Sequence, residues 1–398
     1  MTKTLQACLV AAVLAFALAD LAHGQSASRQ TFLKLMDVQE LWEEENYDEA
    51  LAELEALREK TRGNAYDYAL ANQYLAHTCI LADCPDITRS ALEEALAQPG
   101  LPDELLLTLK LFYAQVVLVE EDFETARRYF EEWLALGPEK PDASQLFSAS
   151  YAHYMTNSFE RAEELLTQAL EGHDDPPDSW YRLYYQTLME LKRHGDAEQV
   201  VIDLVARRPT EVDFWRLLAN HYLRLEDGRK ALSVMTIAYA QGILNDTEDS
   251  RRIVSLYGYV EVPERAARLL DELIDEAVVE SDFETLKQLG DLWLLSRERA
   301  KAVDVLKRAA EVAPDGKTDE LLGSIYFEDE EWGLAHSAFV RALDKGGTDE
   351  ADRLHLLAGI SAFRAGMKAQ ARTSLREAMK HDEFRDQARS VLRRLDDA

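Results

Sequence analysis

The chain is short of basic residues and of cysteine, and each shortage disfavours a class of function. Lys and Arg number 44 against 74 Asp and Glu, which gives a formal net charge of −30. A surface this acidic repels phosphate groups, so binding to nucleic acid or to an anionic membrane surface is disfavoured. The only cysteines are Cys8, Cys79 and Cys84. The single C-x4-C spacing lacks the second pair of ligands that a structural zinc site needs.

The sequence also lacks the motifs that carry catalysis in common enzyme folds. It has no glycine-rich phosphate loop, no G-x-S-x-G nucleophile elbow and no H-E-x-x-H zinc motif. Its nine histidines are scattered singly, and neighbouring carboxylates such as Glu163 and Glu164 are expected by chance among 74 acidic residues. We therefore expect no enzymatic activity and no bound cofactor or metal.

Long apolar runs are rare too, and the one near the N-terminus has the layout of a signal peptide. Lys3 precedes an apolar run at residues 7–19, and Ala22-His23-Gly24 supplies small residues at a cleavage site before Gln25. The run is shorter than the roughly 20 residues that span a bilayer. Cys8 lies at the start of the apolar run instead of after it, which disfavours lipoprotein acylation. We predict that residues 1–24 are removed on export to the periplasm; a cut after Ala19 is the alternative.

A repeated unit occupies the remaining sequence. A small residue recurs in steps of 33 to 38 residues, close to the 34 of the tetratricopeptide (TPR) repeat. We call these ten positions the key small residues: Ala50, Thr88, Ala126, Ala162, Ala197, Ala231, Ala266, Ala302, Ala335 and Ala371. The TPR first-helix pattern W-x2-L-G-x2-Y is matched by Trp215, Leu218, Ala219 and Tyr222, with Ala in place of Gly.

This pattern predicts a fold in which paired helices stack on one another. No alternating strand rich in valine and isoleucine appears, and an amphipathic helix pair cannot bury its apolar face alone. Acidic and aromatic residues at 46–48, 122–124 and 158–160 predict the turns inside pairs. We predict an all-α fold, a right-handed α-solenoid of about ten TPR helix pairs over residues 31–381. A cap helix at residues 384–395 would close it.

Cys79 and Cys84 are a candidate disulfide. Their spacing is too short for a bridge along one straight helix, where the two residues are more than about 7 Å apart. A turn near Pro85 would bring them together, and an oxidising periplasm would let them pair. The alternative is two half-buried free thiols.

Beyond the generic repeat, the sequence resembles a narrower group. The likeness rests on LWEEENYDEAL at residues 41–51, FWRLLA at 214–219, KALSV at 230–234, AYAQG at 238–242, the ending at 366–378 and DQAR at 386–389. These segments resemble the periplasmic TPR proteins that accompany TonB–ExbB–ExbD energy-transducing systems in gammaproteobacteria. The resemblance implies a helper protein in TonB-linked outer-membrane uptake and supplies no catalytic residues.

Basic residues recur at one position of the first helices, fifteen residues before the key small residue. In four successive repeats these are Arg182, Arg216, Arg251 and Lys287. Four residues further along the same helix faces lie Gln186, Asn220, Ser255 and Asp291. A row of cations in a concave groove predicts a ligand that carries carboxylates, such as an acidic segment or a C-terminus. The alternative is that the cations pair with acidic neighbours within the chain.

An aromatic stripe adjoins these cations. Phe147, Tyr151 and Tyr154 are spaced by four and three residues, so they share one helix face. Exposed in the groove they would form a hot spot for a bound peptide; the alternative is core packing. We therefore expect a periplasmic scaffold that binds a protein segment or a component of an envelope complex, serving TonB-linked transport. The alternative is a scaffold of another envelope machine, for secretion, pilus or outer-membrane assembly.

Overall fold

A computed structural model of the chain describes residues 27–397, and these residues form 21 helices and contain no strand. The predicted all-α class is confirmed. The predicted signal peptide, with both candidate cleavage sites and Cys8, lies outside the described residues. The chain divides into two compact units, one ending at Arg207 and the other beginning at Arg208.

Unit 1 contains ten helices. They are α1 (Arg29–Glu43), α2 (Tyr47–Thr61), α3 (Ala65–Leu81), α4 (Pro85–Leu96), α5 (Asp103–Val119), α6 (Phe123–Ala135), α7 (Ala143–Met155), α8 (Phe159–Glu171), α9 (Asp178–Glu190) and α10 (His194–Arg207). Consecutive helices pair into five hairpins, from α1 with α2 to α9 with α10.

Unit 2 contains eleven helices. They are α11 (Val212–Arg224), α12 (Gly228–Ala240), α13 (Thr247–Tyr259), α14 (Pro263–Asp275), α15 (Phe283–Leu295), α16 (Arg299–Val312), α17 (Lys317–Glu328), α18 (Trp332–Lys345), α19 (Ala351–Arg364), α20 (Lys368–Ala378) and α21 (Arg385–Asp397). Five hairpins again form, from α11 with α12 to α19 with α20, and α21 packs against α19 and α20.

Small residues let the two helices of a hairpin approach closely. The nine alanines among the key small residues are fully buried, and Thr88 is nearly so. On the first helices, a Cβ added to Gly323 would lie 2.6 Å from the Phe339 ring, and one added to Gly290 would lie 2.6 Å from Leu306. The glycine therefore provides the space that the large side chain of the second helix fills.

One turn geometry joins the helices inside every hairpin. Five residues before each key small residue the backbone is left-handed, with φ between 57° and 73°. These residues are Glu45, Asp83, Glu121, Asn157, Lys192, Glu226, Glu261, Arg297, Glu330 and Gly366. The next N–H donates to the carbonyl five residues earlier, as from Asn46 to Leu41 at 2.8 Å, which is the Schellman motif. Asn46, Asp122 and Ser158 are the N-caps of the second helices. The predicted turn segments, which begin at these residues, therefore start where the observed turns end.

Cys79 and Cys84 occupy the two ends of one such motif. The Cys84 N–H donates to the Cys79 carbonyl at 2.8 Å, and Pro85 begins α4. Both thiols are free, Cys79 buried and Cys84 half-buried. Burial, and then a hydrogen bond with the Cys84 thiol, raise the pKa of Cys79. The predicted turn is present, and the bridge itself stays a prediction.

Candidate functional site

One face of the first helices carries the predicted binding residues. Positions fifteen, eleven and seven before a key small residue are spaced by four, so their side chains lie on one side of the helix. In unit 2 these are Arg216, Asn220 and Arg224 on α11, Arg251, Ser255 and Tyr259 on α13, and Lys287, Asp291 and Leu295 on α15. We call these nine residues the first-helix face of unit 2. Arg182 and Gln186 hold the matching positions in unit 1.

Arg216 is tied to the following first helix. Its Nη2 donates to Asp246 Oδ2 at 2.6 Å and to Asp249 Oδ2 at 2.8 Å, and its Nε donates to Asp249 Oδ1 at 3.1 Å. The Asp249 side chain is only 2% exposed, while that of Arg216 is 32% exposed. Hydrogen bonding to Asp249 is the main reason that the pKa of Arg216 is raised. This guanidinium therefore neutralises a buried carboxylate and joins α11 to α13.

The other predicted cations also have partners within the chain. Arg251 Nη2 donates to Thr285 Oγ1 at 3.1 Å, and Lys287 Nζ donates to Asp291 Oδ2 at 2.7 Å. Arg182, half-buried in unit 1, also has an interaction partner. These contacts favour the interpretation in which the cations pair internally. Asn220 and Gln186 are exposed, so the polar positions beside them are accessible.

The aromatic stripe of unit 1 is half-buried, between the two arrangements considered from the sequence. Phe147 stacks on Trp180 with ring centroids 4.9 Å apart, and Tyr151 meets Phe123 edge-on at 6.0 Å. Tyr154 contacts Phe159 in the same manner at 5.6 Å. The three rings thus share their area between packing and solvent, and the stripe as a peptide hot spot stays a prediction.

Two exposed residues were missed by the sequence reasoning. Tyr259 and Leu295 end consecutive first helices, seven residues before a key small residue, and are 64% and 71% exposed. The next two repeats carry Glu328 and Arg364 at this position. The available signal in the sequence was a large apolar side chain at a position that is charged in neighbouring repeats. To use this signal, one must know which end of the helix faces solvent.

Within residues 27–397, no three His, Cys, Asp or Glu side chains are grouped so that they could hold a metal ion. Over the same range, none of the helices combines the length and the apolar character needed to cross a bilayer. What the first-helix face offers chemically is hydrogen bonding, charge and exposed apolar area.

Comparison with known proteins gives structural similarity alone. No family model matches the chain, and no curated protein matches it. A tetratricopeptide repeat protein from Parabacteroides merdae is 16% identical, covering 64% of this chain and 98% of its own, with a TM-score of 0.35. The C-terminal part of a TPR repeat-containing protein from Cytophaga hutchinsonii is 12% identical, covering 61% and 98%, with a TM-score of 0.40. The TPR domain of P58(IPK) is 15% identical, covering 92% and 97%, with a TM-score of 0.25. Since these TM-scores are low, the helical-repeat description rests on contacts within the chain itself.

Proposed function

We propose that this protein is an exported scaffold of TPR type that binds another protein through the first-helix face. The observation that carries the proposal is the exposure of Tyr259 and Leu295 at the same register of consecutive first helices. Aromatic and large aliphatic side chains exposed to solvent at one register are typical of interaction surfaces, where an aromatic anchor supplies much of the binding energy.

The surroundings of these two residues suit a protein segment better than a small molecule. Ser255 is an exposed polar neighbour on the same face as Tyr259, and Asp291 is a half-buried one beside Leu295. The face repeats with the helical hairpins, so an extended chain can meet several first helices in turn. In unit 1, the half-buried stripe of Phe147, Tyr151 and Tyr154 would offer a contact surface of its own.

The cellular setting of the proposal comes from the sequence. Removal of residues 1–24 would place the scaffold in the periplasm, and the resemblance to TonB-associated proteins makes that energy-transducing system its favoured context. A scaffold of another envelope machine would use the same face. The identity of the captured partner separates these two settings.

Site-specific photocrosslinking tests the proposal. Benzoylphenylalanine placed singly at Tyr259 and Leu295 should yield crosslinked partner protein in the native host. Matched controls are Ile237 on α12 and Leu334 on α18, which are 49% and 50% exposed on second helices. Equal crosslinking from all four positions, or from the second-helix positions alone, would place the interface elsewhere.

A further inference from the structure

Successive first helices of unit 2 are joined by a repeated polar contact. At the first junction Arg216 on α11 reaches Asp246, the N-cap of α13, and Asp249 in its first turn. At the second junction Arg251 on α13 reaches Thr285, which lies 36 residues after Asp249. In both cases a guanidinium on one first helix binds a buried oxygen at the start of the next.

The third junction lacks this contact. Lys287, the next cation in register, bonds to Asp291 on its own helix instead. Thr318, the counterpart of Asp249 and Thr285, is fully buried, and its hydroxyl has no hydrogen-bond partner in the described part of the chain. A buried hydroxyl is ordinarily paired, so this junction is left with an unmet polar group.

A cavity of about 500 Å³ lies at this junction, between α15 and the start of α17. Thr318 lines it, together with carboxylates from Glu284, Asp291 and Asp315 and with ammonium groups from Lys287 and Lys317. Lys287 is held by Asp291, and Lys317 lies 3.6 Å from Asp349, so both cations have partners. Three carboxylates and two ammonium groups thus line a space large enough for a whole side chain.

Leu295 gives the cavity an apolar edge. It lines the cavity while remaining 71% exposed, and buried Leu292 lies one turn before it on α15. A ligand in the cavity would therefore meet carboxylates and an aliphatic surface together.

We propose that this cavity binds an arginine side chain of a partner protein, whose guanidinium supplies the contact that Arg216 and Arg251 make at the other two junctions. It would donate to the Thr318 hydroxyl and to the Asp315 carboxylate, and an apolar neighbour in the partner would cover Leu295. Arginine suits the position because its planar fork bonds two acceptors at once. The net charge of −30 would draw a basic segment toward the scaffold.

The inference rests on the proposed function and specifies the chemistry of the partner. Its test uses the mature chain and a probe peptide, acetyl-Gly-Leu-Arg-Gly-amide, with binding followed by NMR chemical shifts. Replacing arginine by citrulline keeps the shape and removes the charge, and it should weaken binding about tenfold. Raising the salt concentration should weaken binding of the arginine peptide and leave binding of the citrulline peptide unchanged.

Variants of the protein locate the site. Asp315→Asn should weaken the arginine peptide about tenfold, since it removes the charge and keeps the shape. In Lys287→Arg, the new guanidinium should make the missing contact at this junction. The melting temperature should therefore rise, and binding of the arginine peptide should weaken by a similar factor. Asp304→Asn, an exposed carboxylate on α16, is the matched control and should leave binding unchanged. Circular dichroism confirms that each variant is folded.

Several outcomes would overturn the inference. Tighter binding of acetyl-Gly-Leu-Glu-Gly-amide would show an acidic partner, and equal loss with Asp304→Asn would show only long-range charge. No binding by any peptide, or full binding by Lys287→Arg, would also reject it. The proposed function would survive each of these results if crosslinks still form at positions 259 and 295, because that experiment does not depend on the charge of the partner.

Discussion

At the scale of single residues, Arg216 and Arg251 connect the first helices of successive repeats. The Asp249 side chain is 2% exposed, and Arg216 supplies the positive charge that a buried carboxylate requires. The recurrence of cations seen in the sequence has this structural cause at Arg216 and Arg251. Because these residues join repeats, substituting them should change stability as well as any binding. The free energy of unfolding therefore needs to be measured for each variant.

Replacing Arg216 by alanine should destabilise the protein. The change leaves Asp249 buried without its partner, and the free energy of unfolding should fall by about 3 kcal/mol in urea denaturation. Adding Asp249→Asn should recover part of that loss. Arg268→Ala, which removes an exposed pair with Glu264 on α14, is the matched control and should have little effect. Equal losses for both arginines would mean that the buried carboxylate is not the cause.

Glycine positions on the first helices separate packing from helix propensity. Gly323→Ala should lower the free energy of unfolding by about 1–3 kcal/mol, because its Cβ meets the Phe339 ring at 2.6 Å. Gly258→Ala on α13, where a Cβ would meet nothing within 4 Å, should raise it by about 0.5–1 kcal/mol. Urea titration of the two variants measures both signs. A gain at Gly323 would contradict the close helix approach.

At the scale of elements, the turn inside each hairpin is made by a residue that tolerates it poorly. Nine of the ten left-handed positions hold a residue other than glycine. Such a residue costs about 1 kcal/mol relative to an unstrained backbone. The Schellman hydrogen bonds and the buried key small residue offset that cost in each hairpin, so sequence reasoning could place the turns approximately but not identify their strained residue.

Exchanging residues at this position should move stability in opposite directions. Glu330→Gly should raise the free energy of unfolding by about 0.5–1 kcal/mol, because glycine adopts φ of 60° without steric cost. Gly366→Ala, at φ of 73°, should lower it by about 1 kcal/mol. Thermal melts of both variants measure the effect. The same sign for both would show that side-chain contacts, and not backbone strain, decide stability at the turn.

The Cys79 turn makes a specific redox prediction. Because the turn places Cys79 and Cys84 at its two ends, with the Cys84 N–H bonded to the Cys79 carbonyl, export to an oxidising compartment should close the bridge. Thiol titration of the denatured, unreduced exported protein should then find no free thiol, while protein made in the cytoplasm without residues 1–24 should show two. Two thiols in the exported protein would reject the bridge. The gain in stability should be small, since the closed loop is short.

At the scale of the whole molecule, residues 27–397 combine ten hairpins and a terminal helix. The two units each bury their own cores, as with Phe130 in unit 1 and Phe339 in unit 2. Helix α21 buries Ala388 and Leu395 and exposes Arg389 and Arg393, which gives the end of the repeats a polar surface.

Export should remove the N-terminal segment. When the full chain is made in a Gram-negative host, the mass of the periplasmic product should correspond to a chain beginning at Gln25, because the small residues at Ala22 and Gly24 suit signal peptidase. A product beginning at Asp20 would support the alternative cut. Cytoplasmic protein that retains Met1 or Thr2 at its start would contradict export.

The sequence alone determined the fold class and the helix pairs. Their determinants are local, because a small residue in one helix faces a large one sixteen residues later, as Gly323 faces Phe339. This spacing can be recognised in the sequence without coordinates. The tertiary structure alone decided what the cations bind, which side chains stay exposed and which junction is open. Arg216 meets Asp249 across 33 residues, while Lys287 turns back to Asp291, because the outcome depends on side-chain reach across neighbouring hairpins. The cation holds the same position at each of these junctions, and the acceptor that its side chain reaches after packing distinguishes them.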